Sequence, residues 1–167
     1  VLEEAIAKTT EVPDPEKIVG RYTDDKGAQK FVGDQWLKLK DNSIVRFARN
    51  GYPTGMIRST RTRKEGFYRI KVHGFAYQAK GPITFSVGLT TYQRGMPQPV
   101  LGYFSFPPGG PDKMHTVELT AKIGAQYMIS VEPYGIVDPD LGRRRKDKIP
   151  ITTVKTPGLG IHSVELE

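Results

Sequence analysis

Residues 66–89 alternate apolar and polar side chains with a period of two on both sides of a short break at Lys80, Gly81 and Pro82. Tyr68, Ile70 and Val72 share one phase and Arg69, Lys71 and His73 the other, the pattern of a half-buried strand and not of a helix with 3.6 residues per turn. Ile83, Phe85, Val87 and Leu89 repeat it, with Thr84, Ser86 and Gly88 in the outward phase. Two such runs joined by a turn predict the middle hairpin of an antiparallel sheet.

The rest of the chain carries the same signature in shorter pieces. Strands are predicted at 35–40, 44–48, 56–60, 66–77, 83–90, 100–106, 115–123, 126–132 and 160–167. They are separated by residues suited to turns, such as Asn42, Gly51, Gly81 and the run Pro107, Pro108, Gly109, Gly110, Pro111. Short strands at this spacing define an all-β chain, a two-sheet antiparallel β-sandwich. Residues 1–33 read as an N-terminal lead-in, helical over 1–10 or irregular, packed on a sandwich formed by 34–167; Pro13 and Pro15 stop the helix. One long connection, 134–159, carries no strand or helix signal, and connections of that length in a compact domain are functional or disordered.

At 167 residues the chain suits a single domain able to bury a continuous core. With no cysteine it has no disulfides, thiol nucleophile or thiolate-bound zinc. No apolar run reaches the roughly 20 residues a helical membrane span needs. Val1 is neither a methionine nor the start of a signal segment, so the chain reads as a piece of something longer. The net charge of +7 favours acidic partners or simply solubility. The cations cluster at 58–64 and 143–148, each reading first as a solvated surface run.

The motifs at Gly66, Phe67, Tyr68, Ile70 and Val72, at Ile83, Phe85 and Val87, at Val117, Leu119, Ile129 and Val131, and at Leu159, Ile161, Val164 and Leu166 resemble the core strands of jelly-roll carbohydrate-binding modules. The run from Tyr103 to Pro108 and the closing Pro157, Gly158, Leu159, Gly160 and Ile161 look more closely like the sandwich segment of large exported bacterial proteins that join cytochrome-c-like domains to uncharacterised ones. The resemblance implies a jelly roll, binding to a polysaccharide or oligosaccharide, and an exported location, whether periplasmic, cell-surface or extracellular. It also implies flanking domains of a parent protein as partners. Calcium-bearing members carry an aspartate in the closing strand, where this chain has His162 and Ser163.

No enzyme is expected. His73, His115 and His162 each sit in a predicted strand without a second ligand at metal-binding spacing. Nor is there a phosphate-cradling loop or nucleophile elbow. Asp138 and Asp140 offer oxygens to a calcium ion, short of the about six to eight it takes, and read first as a solvated turn. If each connection crosses to the opposite end of the sandwich, one rim gathers Arg49, Asn50, Tyr52, Tyr77, Gln78 and Tyr134. Tyr52, Tyr77 and Tyr134 would stack on sugar faces, and Arg49, Asn50 and Gln78 would supply hydrogen bonds. The alternative is that these tyrosines only cap the core.

Trp36, the lone tryptophan, is in opposite phase to Leu37 and Leu39. It lies either on an outward glycan-binding face or under residues 1–33. The preferred function is a non-catalytic glycan-binding module, favouring anionic polysaccharides on the strength of the charge. The alternative is a structural or docking domain in a multidomain redox protein. Nucleic-acid binding ranks last, since the basic runs lack interleaved aromatics.

Overall fold

The computed structural model describes residues 17–49 and 55–167. Ten strands occupy these residues: β1 (Ile18–Gly20), β2 (Trp36–Lys38), β3 (Ile44–Arg46), β4 (Met56–Ile57), β5 (Gly66–Tyr77), β6 (Ile83–Thr90), β7 (Val100–Phe106), β8 (His115–Ile123), β9 (Met128–Tyr134) and β10 (Gly158–Leu166). They form two antiparallel sheets. One has the order β2-β3-β10-β5-β8, with β1 also on β10; the other has the order β4-β9-β6-β7.

The alternation seen in the sequence is the alternation in space. Ile70 and Val72 of β5, Ile161, Val164 and Leu166 of β10, Phe85 and Val87 of β6, and Ile129 and Val131 of β9 are all buried between the sheets. Each such side chain contributes about 1.5–3 kcal/mol relative to exposure. The predicted hairpin is nevertheless absent. β5 pairs with β10 and β8, whereas β6 pairs with β7 and β9. The turn around Lys80 therefore carries the chain from one sheet to the other. Both strands turn alternate residues to a shared core, and that pattern is the same whether neighbours pair edge to edge or face each other across the sandwich.

Other boundaries shift for local reasons. The predicted strand at 56–60 ends after Ile57, where a 3₁₀ turn spans Arg58–Thr60 and Thr60 Oγ1 donates to Ile57 O at 2.6 Å. Within the predicted lead-in, β1 is a true sheet strand, paired with the end of β10. The helix expected at 1–10 lies outside the described residues. The connection between β9 and β10 is not structureless: it holds a helix, α1 (Leu141–Asp147), and a 3₁₀ turn at Ile151–Thr153. Ile151 and Val154 cover the outer face of the larger sheet, burying Val45, Phe47 and Phe75 in a second apolar cluster with Leu37, Leu39 and Tyr77.

Trp36 faces the core, not solvent. It is 1% exposed, with the Tyr22 and Phe31 rings 4.9 and 5.1 Å away. The opposite phase of Leu37 and Leu39 is real, but theirs is the outward one, sealed by the second cluster.

Candidate functional site

The outer face of the four-stranded sheet carries a shaped groove. Its central strand, β6, presents Thr84, Ser86 and Gly88, none of them large. Register sets their neighbours: Ser86 lies between Tyr103 of β7 and Glu132 of β9, Thr84 between Ser105 and Tyr134, and Gly88 between Val100 and Ser130. Small side chains down the middle and larger ones on both sides make a groove. A cavity of ≈ 160 Å³ in it is bordered by Arg49, Ser86, Gln98, Ser130 and Glu132 among others. At the Thr84 end, Tyr103 and Tyr134 meet edge to face, ring centroids 5.4 Å apart at 71°. Both are more than half exposed.

Glu132 is held from behind. Arg46 of β3, fully buried, passes between the sheets and donates from Nη2 to Glu132 Oε2 at 2.7 Å and from Nη1 to Val131 O at 2.6 Å. The Tyr22 hydroxyl lies 2.9 Å from Gly55 O and 3.0 Å from Val131 O, and accepts from Arg46 Nη1 at 3.2 Å. The guanidinium also sits 5.8 Å from the Tyr22 ring centroid and 6.0 Å from that of Trp36. Burial pushes the Tyr22 pKa up to about 12, although Arg46 beside it pulls the other way. For Arg46 burial opposes the charge, but Tyr22 and Glu132 outweigh it and raise the pKa. Gly55 is the residue that leaves room: a Cβ there would stand 1.8 Å from Glu132 Oε1. One carboxylate oxygen is thus fixed by a buried cation while the residue as a whole lines the groove.

Of the six residues expected to form one rim, the four that are described divide between the two sheets' outer faces. Tyr134 ends β9 and so lies on the outer face of the smaller sheet, not at the start of a loop. Arg49 borders the groove on the same face. Tyr77 belongs to the opposite sheet, half-buried against Phe47 with ring centroids 6.1 Å apart. Gln78 has φ 52°, and its Nε2 donates to Val154 O at 3.0 Å and Thr156 O at 3.2 Å. Its amide group is engaged in holding the β9–β10 connection. Asn50 and Tyr52 lie outside the described residues.

Tyr103, Ser86, Ser130 and Glu132 are groove residues the rim argument passes over. The signal for them is present, since Ser86, Ser130 and Glu132 all stand in the polar phase of alternating strands. Among the described residues, no three His, Asp or Glu side chains come together as a metal site would require. The histidines pair separately: His73 Nδ1 lies 2.7 Å from Thr116 Oγ1 and His162 Nδ1 3.1 Å from Ser43 Oγ, while His115 stacks on Phe106. Asp138 is bonded to Arg144, and Asp140 lies 3.6 Å from Arg143. No helix among the described residues is long and apolar enough to cross a membrane.

A two-sheet antiparallel β-sandwich with a groove on its smaller sheet is the class these observations define. No family model matches the chain, and no curated protein matches it either. Among solved structures, it is similar to the C-terminal CBM6 of LamC, a marine laminarinase from Zobellia galactanivorans. The TM-score is 0.52 at 14% identity, covering 90% of this chain and 98% of that one. It also matches a carbohydrate-binding module of lichenase 5A from Cellvibrio mixtus, in complex with cellotriose, with TM-score 0.47, 11% identity and coverage of 89% and 95%. At this identity the likeness to the Zobellia module is one of fold.

Proposed function

We propose that the domain is a non-catalytic polysaccharide-binding module of a larger exported protein, taking a glycan chain along the outer face of the four-stranded sheet. The observation that carries this reading is the groove itself. It pairs an exposed two-tyrosine platform with hydroxyl, amide, guanidinium and carboxylate groups, which is the mixture a sugar demands: flat apolar faces for stacking and directional groups for its hydroxyls. Glu132 supports binding over catalysis. Glycoside hydrolysis by the usual route needs two carboxylates across the scissile bond, and no second carboxylate borders this cavity among the described residues. The net charge of +7 adds attraction for acidic chains.

The test is affinity electrophoresis and calorimetry against neutral β-glucans and against uronic-acid and sulfated polysaccharides. At least one should bind saturably. Tyr103→Ala combined with Tyr134→Ala should then weaken it about tenfold, the sum of two lost stacking contacts, with thermal unfolding unchanged. Silence across the whole panel, or wild-type affinity in the double variant, would remove this reading.

A further inference from the structure

Among the described residues, β8 pairs only with β5, which leaves its other edge at the end of the larger sheet. Parity settles which backbone groups lie on that edge. Just past β10, Glu167 exchanges both backbone hydrogen bonds with Arg69. Arg69 and Lys71 of β5 therefore turn their amides to β10, and Ile70 and Val72 turn theirs to β8. Leu119 and Val117, the partners of Ile70 and Val72, bond to β5 in return. Thr116, Glu118, Thr120 and Lys122 aim their N–H and C=O groups away from the sheet, and among the described residues no backbone bond reaches them. A free edge of this kind is a template for another strand.

Two properties of the edge point to one partner, a second copy of the chain. On the core side Val117, Leu119 and Ala121 are only partly buried. So are Leu101 and Phe104 of β7, the edge strand of the smaller sheet that lies beside β8, and the core thus meets solvent along this side. On the outer side, the run Glu118, Leu119, Thr120, Ala121, Lys122 is charge-complementary to itself read backwards. An antiparallel copy centred on Thr120 sets Glu118 opposite Lys122 of the second copy, twice, with Leu119 opposite Ala121 on the core side. Centring on Glu118 or on Lys122 would face like charges, and centring on Leu119 or Ala121 would leave neither charge opposite the other. Opposite charges directly across a ladder stabilise it and like charges oppose it, so the charges select the Thr120 register.

These charges are free to exchange partners. Glu118 lies 3.8 Å from Arg69 and Lys122 3.1 Å from Glu65, in pairs whose four side chains are all about half exposed or more, and such pairs hold weakly. Arg69, in register with Thr120, is bonded to Glu167. Its counterpart in the second copy would stand three strand spacings away, about 14 Å.

We propose that the free edge of β8 is a homodimer contact: two copies join edge to edge, antiparallel about Thr120, and merge their larger sheets into one. Parity keeps the core sides of both copies on the same side of the merged sheet, so the two grooves open on one face of the dimer. That consequence, two grooves presented to one polymer, rests on the function proposed above; the dimer itself does not.

The experiment is sedimentation velocity of the whole chain over a range of concentrations without glycan. Physiological ionic strength screens the +7 charge of each copy beyond about 8 Å. The wild type should pass from monomer to dimer as concentration rises. Glu118→Lys brings lysines face to face and Lys122→Glu brings glutamates face to face, so each should weaken the dimer about tenfold, two cross-strand pairs being reversed in sign. An equimolar mixture of the two variants should restore it, because the mixed dimer has opposite charges at every pair. In hydrogen exchange of the wild type, the amides of Glu118, Thr120 and Lys122 should gain protection with concentration, while those of Val117 and Leu119 stay as they are. A chain that is monomeric at every concentration would overturn the proposal. So would a dimer that both single variants leave at wild-type strength, or one whose added protection falls outside β8.

Discussion

Tyr22 shows how a side chain far from the groove shapes it. Its hydroxyl ties Gly55 of one sheet edge to Val131 of the next strand and meets Arg46, which holds Glu132. Tyr22→Phe keeps the ring and leaves these polar groups short of a partner, at a cost of about 1–3 kcal/mol near neutral pH. The pH dependence has a definite sign. Because the folded pKa, about 12, is above the ordinary 10.0, the folded state holds the phenolic proton more tightly than the unfolded one. That stability is fully present below pH 10 and drains away between pH 10 and about 12. At about 1.4 kcal/mol per unit, a shift of this size is worth about 2–3 kcal/mol. Denaturant unfolding of wild type and Tyr22→Phe should therefore show a gap at pH 7–9 that closes as pH rises toward 12. A gap that stays constant would mean the phenol is not desolvated.

At the scale of elements, the β9–β10 connection acts as a lid on the larger sheet. Ile151 and Val154 bury the otherwise outward Val45, Phe47 and Phe75, and Gln78 anchors the same stretch by its carbonyls. Ile151→Ala should cost about 2–5 kcal/mol, the range for a buried isoleucine that leaves a cavity, read as a lower denaturant midpoint at unchanged slope. A much smaller loss would mean the lid is not packed on the sheet. The strands themselves are legible in the sequence because alternation is local: Ile70, Val72, Phe85 and Val87 are buried as their phase requires. Their partners are not legible, because alternation records which residues face the core and not which strand lies alongside. Hence β5 and β6 read as a hairpin while belonging to opposite sheets. The lid is hidden for a related reason, since its two apolar anchors are too few to mark a period. In the candidate site, Tyr134 and Arg49 are legible as polar or aromatic residues near strand ends. The buried guanidinium of Arg46 is not, because only the sandwich brings it within 2.7 Å of Glu132, 86 residues away.

For the molecule as a whole, β10 is the strand on which the larger sheet depends. It pairs along its length with β5, while its other edge is shared: β3 takes Leu159, Gly160 and Ile161, and β1 takes Val164, Glu165 and Leu166. A register shift between Ile161 and Ser163 marks the changeover. The start of the described chain thus covers the end of it, reinforced by Lys17, whose Nζ lies 3.5 Å from Glu165 and 3.9 Å from Glu167. Both ion pairs are partly exposed and add little by themselves; the backbone ladder is what matters, since an uncovered strand edge leaves its amides to solvent and invites pairing with other chains. Deleting residues 1–20 should therefore spare the β3-covered part of β10 and bare the rest. In hydrogen exchange, Val164 and Leu166, whose amides face β1, should lose protection, while Glu165, whose amide faces Lys71 of β5, and Gly160 and Ile161 keep theirs, and light scattering should show a greater tendency to self-associate. Equal loss along all of β10 would mean instead that the sheet has come apart, making β1 part of the minimal fold and not a cover for one edge.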